Sequence, residues 1–107
     1  MAKGKVLVSY DDLDVLSRIY LLLIHKKYKA EATNKPEEIE QRIKRFKPDV
    51  LIVSSRDYLL VKEKLKKPAI VIADNSQTKV ELNYGDRILK QPFQTNSLIR
   101  AVEELVF

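Results

Sequence analysis

Four aspartates are the side chains of this sequence best placed to do chemistry, because they follow apolar segments that have the length of buried strands. Asp11 and Asp12 follow the segment 6–8, and Asp57 and Asp74 follow two longer apolar runs. If these carboxylates gather at one edge of a sheet, they offer the oxygen ligands that hold a divalent cation such as Mg²⁺. Aspartates in such places also cap helices and stabilise turns, and this is the interpretation that we favour.

The other reactive side chains exclude several classes of site. The sequence has no cysteine, so it has neither disulfides nor thiolate metal ligands. Its single histidine, His25, is predicted near the end of the first helix, where we expect it to be solvated. With only Gly4 and Gly85, the chain has no glycine-rich loop of the kind that cradles a nucleotide.

The strands that must position these side chains are visible as short apolar runs. The predicted strands are 6–8, 29–33, 50–53, 69–73 and 87–90. The uninterrupted apolar runs at 50–53 and 69–73 are typical of strands that are buried on both faces. The segment 29–33 alternates polar and small apolar residues, which indicates an edge strand.

Apolar residues that recur at intervals of three and four predict helices between these strands. The predicted helices are 12–27, 36–46, a short third helix at 58–67 and a last helix that begins at Thr95. The first helix has an apolar face of Leu13, Leu16, Ile19, Tyr20 and Leu23, and either Asp11 or Asp12 can cap it. The segment 74–86 suits either a single turn of helix or an irregular loop.

This order of elements predicts one α/β domain that spans residues 1–107. Strands that alternate with helices imply right-handed crossovers and a parallel sheet with helices on both faces. Five such strands suit the flavodoxin-like order 2-1-3-4-5, in which ligands bind beyond the carboxyl ends of strands 1 and 3. The residues expected there are Tyr10, Asp11, Asp12, Ser54, Ser55, Ala73, Asp74 and Gln91.

The charge and the hydropathy of the chain limit the kinds of partner that it can have. The net charge is +5 and the isoelectric point is about 9.4, but the lysines and arginines cluster at predicted helix ends, where they complement the helix dipole. No basic run is interleaved with aromatic residues for base stacking, so we do not expect a nucleic-acid partner. The longest apolar run, 20–24, is far short of the ~20 residues of a membrane span. Without a secretory segment at its start, the chain is predicted to be cytoplasmic.

Four segments of the chain resemble the working parts of response-regulator receiver domains. They are residues 5–12, 47–54, 68–73 and 89–93. The resemblance extends over essentially the whole chain, and its most specific parts are the Lys-Pro-Asp-Val-Leu-Ile-Val run before Ser54 and the Pro-Phe corner at Pro92. It implies the same five-stranded fold, with short third and fourth helices, and a cis peptide bond before Pro92.

The resemblance also implies a phosphorylation pocket that has lost its chemistry. In the family, an acidic pair after strand 1 holds Mg²⁺ beside an acceptor aspartate at the end of strand 3, with a hydroxyl on strand 4 and a lysine after strand 5. The matching residues here are Tyr10 and Asp11 for the acidic pair, Ser54 for the acceptor, Ala73 for the hydroxyl and Gln91 for the lysine. Only Asp11 keeps the residue type of the family, so it is the single, weak candidate for a metal ligand. Asp12 lies beside this pocket, and Tyr10 either plugs it or packs at the end of its strand.

Phosphoryl transfer depends on a carboxylate nucleophile, Mg²⁺ and a cation that together neutralise charge. Without them, we expect a pseudo-receiver with no cofactor and no enzymatic activity, which signals by binding other proteins or output domains. The family commonly signals through the face of the fourth helix, fifth strand and fifth helix, and this face could also form a homodimer. It would carry Tyr84, Arg87, Ile88, Lys90, Phe93, Gln94, Ile99, Arg100 and Glu103. The alternatives are a metal- or phosphate-dependent switch or enzyme that uses Asp11, Asp12 and Asp57, and nonspecific nucleic-acid binding through the lysines.

Overall fold

Five strands alternate with four α-helices in the computed structural model, which describes residues 3–73, 82–83, 85–90 and 94–106. In chain order the elements are β1 (Lys5–Ser9), α1 (Leu13–His25), β2 (Lys29–Thr33), α2 (Ile39–Phe46), β3 (Val50–Ser54), α3 (Ser55–Val61), β4 (Ala69–Ala73), β5 (Arg87–Lys90) and α4 (Thr95–Val106). Single 3₁₀ turns precede α2, at Pro36–Glu38, and follow α3, at Lys62–Lys64. Of the described helices, none is both long and apolar enough to cross a membrane.

The strands form one sheet in the order β2-β1-β3-β4-β5, and all four neighbouring pairs are parallel. This confirms the predicted flavodoxin-like fold and strand order. β3 and β4 are buried along their whole length, as their uninterrupted apolar sequences predict. β2 lies at one edge and is only partly buried, which agrees with its alternation of polar and small residues.

Two apolar layers cover the sheet, one on each face, because successive side chains of a strand point in opposite directions. In β1, Val6 and Val8 pack in the layer under α1 and α4, whereas Leu7 packs in the layer under α2 and α3. Leu23 of α1 and Leu98 of α4 are fully buried in the first layer, and Ile39 of α2 is fully buried in the second. Helices therefore cover both faces of the sheet, and direct pairing of β1 with β3 fixes the separation of their carboxyl ends.

The helix boundaries correct the sequence prediction in several places. α3 begins at Ser55, directly after β3, and not at residue 58, because the side chain of Ser54 caps the helix and leaves no loop. It ends at Val61, before the 3₁₀ turn Lys62–Lys64, and not at residue 67. α2 begins at Ile39, after the 3₁₀ turn Pro36–Glu38, and not at residue 36. α1 ends at His25, and its first residue, Leu13, is 61% exposed, so it does not lie on the buried face where the sequence predicts it. The helix considered for 74–86 falls largely outside the described residues, and so does the proline corner at Pro92.

A buried hydrogen-bond network ties α3 to the amino ends of β4 and β5. The Tyr58 hydroxyl donates to Asp86 Oδ2 at 2.6 Å and accepts the Asn83 N–H at 2.8 Å, while Asp86 Oδ1 accepts the Ala69 N–H at 2.9 Å. Tyr58 is fully buried. Its burial, and to a smaller extent its hydrogen bond to Asp86, raises the pKa of its hydroxyl to about 12. The sequence prediction missed this network because its hydrogen-bonded partners are 17 to 28 residues apart, too far for any local pattern to connect them.

We expect Tyr58→Phe to lower the free energy of unfolding by about 1–3 kcal/mol, because it leaves the buried Asp86 carboxylate and the Asn83 N–H without their partner. Tyr28→Phe is the matched control. The Tyr28 hydroxyl is also buried but has no hydrogen-bond partner among the described residues, so its removal should leave stability unchanged or raise it. Urea unfolding of the two variants measures both effects, and equal losses would contradict the network.

Candidate functional site

The carboxyl ends of β1, β3 and β4 meet at one edge of the sheet, where the strand order reverses. Ser9 is paired with Val53, and Ser54 with Ile72, so the residues that end the three strands are direct neighbours. This is the edge at which parallel α/β sheets bind their ligands. The structure therefore brings Tyr10, Ser54 and Ala73 together, as the sequence predicts.

Ser54 ends β3 and also starts α3. Its backbone is extended, with φ −66° and ψ 155°, and its Oγ accepts the N–H of Asp57 at 3.1 Å. A serine in this geometry is a helix N-cap, which satisfies one of the free N–H groups of the first helical turn. The side chain is buried at 6% exposure, so its hydroxyl is engaged in the fold.

Asp57 is the buried carboxylate of the site, one turn into α3. It is 3% exposed, and its Oδ2 accepts a hydrogen bond from the Ser9 hydroxyl at 3.3 Å. Burial raises the pKa of Asp57, and the negative charge of Asp11 raises it further, whereas the hydroxyls of Ser9 and Ser54 lower it. The carboxylate therefore belongs to a small internal cluster of polar groups, in which its hydrogen-bond partners are the hydroxyls of Ser9 and Ser54.

The two aspartates that follow β1 do different work. Asp12 is exposed and caps α1, since its Oδ1 accepts the Asp14 N–H at 2.9 Å and the Val15 N–H at 3.4 Å. Asp11 is exposed and lies close enough for its charge to act on Asp57. Among the described residues, no three acidic or histidine side chains gather closely enough to hold a metal ion. Asp74, the fourth aspartate of the predicted cluster, lies outside the described residues.

Tyr10 and Ala73 complete the described part of the pocket. Tyr10 is 6% exposed and belongs to the apolar layer under α1 and α4, and its N–H donates to Thr33 O at 3.2 Å. Ala73 ends β4 and is buried at 8% exposure, with a methyl group in place of a hydroxyl. Gln91, the last member of the predicted pocket, lies outside the described residues.

The described geometry gives the pocket few means of catalysis. Both oxygen-bearing side chains at its floor, Ser54 and Asp57, are buried and used in internal hydrogen bonds. A serine nucleophile needs an adjacent base, but His25 is exposed at the far end of α1, about 18 Å from the first residue of that helix at 1.5 Å per residue. The arrangement favours a stable strand-to-helix junction and offers no activated nucleophile.

The predicted interaction face is exposed where it is described. Its exposed members are Arg87, Ile88, Lys90, Gln94, Arg100 and Glu103. Ile88 is 38% exposed, and Arg87 Nε lies 3.7 Å from Glu104 Oε2 of α4. Ile99 is a correction, because it is 7% exposed and packs in the core under α4 and not on this face. Tyr84 and Phe93 lie outside the described residues.

Several solved structures that are similar in fold to this chain are receiver proteins or receiver domains of response regulators. A receiver protein from Burkholderia phymatum is 20% identical, with a TM-score of 0.77 over 95% of this chain and 94% of that one. A receiver protein from Sinorhizobium medicae WSM419 is 17% identical, with a TM-score of 0.77 over 95% and 93% of the two chains. The N-terminal domain of the nisin resistance regulator NsrR, a lantibiotic response regulator, is 18% identical, with a TM-score of 0.76 over 97% and 98%.

The chain has the fold of a receiver domain. At these identities the likeness establishes the fold and leaves the chemistry to the residues themselves. No protein-family model and no curated protein matches the sequence.

The sequence prediction grouped Asp57 with the other aspartates at the carboxyl edge of the sheet and did not connect it to Ser9. Two signals could have found this contact. Ser54 and Asp57 form a Ser-x-x-Asp pattern, which indicates the first turn of a helix. Ser9 is a polar residue in an apolar strand, two positions after Leu7, so it faces the layer in which α3 packs.

We expect Asp57→Asn to stabilise the protein more at about pH 7 than at about pH 3. Because the folded-state pKa of Asp57 is raised above 3.8, the stability linked to this carboxyl is fully present below pH 3.8 and is lost as the pH rises through the folded pKa. The asparagine variant has no such loss, and its amide oxygen can still accept from Ser9. Urea unfolding at both pH values measures the difference.

Ser9→Ala serves as the companion variant, since it removes a hydroxyl that lowers the pKa of Asp57. In Ser9→Ala, the free energy of unfolding should therefore fall more steeply with rising pH than in the wild type. In Asp57→Asn, this fall should be absent. A stability difference between Asp57→Asn and the wild type that stays constant, or shrinks, as the pH rises would contradict the buried position of this carboxylate.

Proposed function

We propose that this chain is a receiver-like signalling module that acts by binding other proteins and does not transfer a phosphoryl group. The observation that carries the proposal is the use of Ser54. In the place of an acceptor carboxylate, its hydroxyl caps α3 through the Asp57 N–H at 3.1 Å. A helix cap of this kind contributes about 1 kcal/mol to stability. The residue is therefore committed to the fold.

The remaining carboxylate does not replace the missing acceptor. Asp57 is 3% exposed and accepts from Ser9, so a phosphodonor cannot reach its oxygens without opening the junction of β3 and α3. Receiver-type transfer also needs a cation beside the phosphoryl group, and the matching position is the neutral Gln91. Mg²⁺ is usually held by one or two carboxylates together with phosphate oxygens, and Asp11 alone is a poor substitute.

The partners in this proposal are other signalling proteins or output domains of a two-component-type pathway in a bacterial cytoplasm. They bind the edge formed by β5 and α4, where Ile88 offers an exposed apolar group and Arg87 and Lys90 offer charged groups. Arg100 and Glu103 of α4 extend the same face. A homodimer through this face is the simplest self-assembly that the proposal allows.

Neither alternative is favoured by a specific contact. A metal- or phosphate-dependent switch would need Asp11, Asp12 and Asp57 to converge, but Asp12 caps α1 and Asp57 is turned toward Ser9. Nucleic-acid binding would draw on the lysines, which lie mainly at the opposite edge of the sheet, where α1, α2 and α3 end.

We expect the mass of the protein to stay unchanged after incubation with acetyl phosphate and Mg²⁺, because no accessible carboxylate occupies the acceptor position. Intact-mass spectrometry measures this, and a receiver with an acceptor aspartate, treated in parallel, shows that the donor is active. A phosphoryl adduct that maps to Ser54 or Asp57 would overturn the proposal.

The same treated protein tests the binding function. Immobilised wild-type chain should retain the same partners from an extract of its native cells with and without the phosphodonor. Ile88→Glu should lose them, whereas Leu21→Glu, at an exposed leucine on α1, should keep them. Capture that depends on the phosphodonor would contradict a constitutive binding module.

A further inference from the structure

A groove opens on the face of the sheet that α2 and α3 cover, at the edge opposite the pocket of Ser54. Its volume is about 400 Å³, within the range of cavities that bind small ligands or anchor side chains. Its apolar floor is formed by Ile43, Pro48, Leu51, Val61 and Leu65. Because Leu51 belongs to the buried β3, the groove reaches down to the central sheet.

The two helices that flank the groove are short. α2 has eight residues and ends at Phe46, after which Lys47 adopts a left-handed conformation with φ 55° and Pro48 starts the path into β3. α3 has seven residues and passes into the 3₁₀ turn Lys62–Lys64, which precedes β4. Ile43 and Leu65 line the groove and are partly buried.

The rim of the groove is strongly basic. Four lysines, Lys44, Lys64, Lys66 and Lys67, surround the apolar floor together with one acid, Glu40. Glu40 Oε2 lies 3.1 Å from Lys64 Nζ on the opposite wall, and Glu40 Oε1 lies 3.9 Å from Lys44 Nζ on its own helix. Lys66 and Lys67 form no ion pair with the residues that the structure describes.

The ion pair across the groove is a weak barrier to a partner. The side chains of Glu40 and Lys64 are 48% and 63% exposed, and exposed pairs of this kind contribute about 0–1 kcal/mol. A carboxylate of a partner can therefore replace Glu40 beside Lys64 at little cost, while Lys66 and Lys67 offer further positive charge.

We infer that this groove docks a short acidic segment of a partner protein, in which one or two apolar side chains enter the floor and flanking aspartates or glutamates meet the lysines. The positive charges stand on both walls, on α2 and after α3, which matches acids on both sides of an apolar anchor. The floor is aliphatic and has no aromatic side chain for base stacking, so it does not suit a single-stranded nucleic acid. The chain of a fatty acid would fit the apolar floor, but its single carboxylate could pair with the lysines at only one part of the rim.

The inference goes beyond the proposed function, since it concerns the opposite edge of the molecule and does not depend on whether the Ser54 pocket takes a phosphoryl group. Complementary charge would speed the encounter and select the partner, whereas the apolar anchor would supply most of the affinity.

The test is a selection of random peptides displayed on phage against the full chain, followed by fluorescence anisotropy of the selected peptides. We expect the enriched sequences to combine leucine, isoleucine or phenylalanine with flanking acids. Lys66→Glu/Lys67→Glu should weaken their binding by about tenfold or more, which corresponds to at least one close charge pair. Lys26→Glu/Lys29→Glu is the matched control, because it changes the net charge equally at exposed lysines away from the groove, and its effect should be much smaller.

A second variant separates the floor from the rim. Ile43→Ala/Leu65→Ala should also weaken the binding of the selected peptides while the circular dichroism spectrum stays that of the wild type, since both side chains are only partly buried. Equal weakening by the two lysine variants would reduce the effect to net charge and overturn the inference. It would also fall if no acidic peptide is enriched, or if an oligonucleotide or oleate binds with the same dependence on Lys66 and Lys67 and displaces the peptide.

Discussion

The hydrogen bond from the Asp57 N–H to Ser54 Oγ is the interaction on which the rest of this site depends. It joins the end of β3 to the start of α3 without a loop, and so it fixes where the Asp57 side chain lies. From that position the Asp57 carboxylate accepts from Ser9 of β1, which links α3 to the strand beside β3. In the described part of this edge, where other parallel α/β sheets bind ligands, the buried Ser54 and Asp57 side chains are used in hydrogen bonds within the chain itself.

Charge is segregated between the two edges of the sheet as a consequence of the topology. Every helix that follows a strand starts at the carboxyl edge and ends at the amino edge, because consecutive strands are parallel. Acids stabilise the positive ends of helix dipoles and cations the negative ends. Asp12 and Asp57 accordingly lie in the first turns of α1 and α3, and Lys44 and Lys64 lie at the ends of α2 and of the turn after α3.

The sequence predicts the sheet well because each strand is identified by its own residues. The apolar runs in β3 and β4 need no partner to be recognised, and their alternation with helices leaves few possible topologies. The pocket is harder to predict, because a contact such as Ser9 with Asp57 joins residues 48 apart. The start of α3 is not predicted correctly, because Ser54 both ends β3 and caps α3, and the sequence prediction assigns it only the first of these roles. The groove at Ile43 and Leu65 depends on how two short helices pack on the sheet. The hydrophobic periodicity of the sequence does not predict that packing.

The use of these carboxylates inside the fold is tested most directly by a titration of the protein with Mg²⁺. The readout is the backbone amide resonances in a ¹H–¹⁵N NMR spectrum. If the carboxylates are used in capping and in internal hydrogen bonds, the amides of Asp11, Asp12 and Ser54 should barely move at physiological Mg²⁺ concentrations. Saturable shifts centred on these three residues at submillimolar Mg²⁺ would show a working metal site and contradict the account.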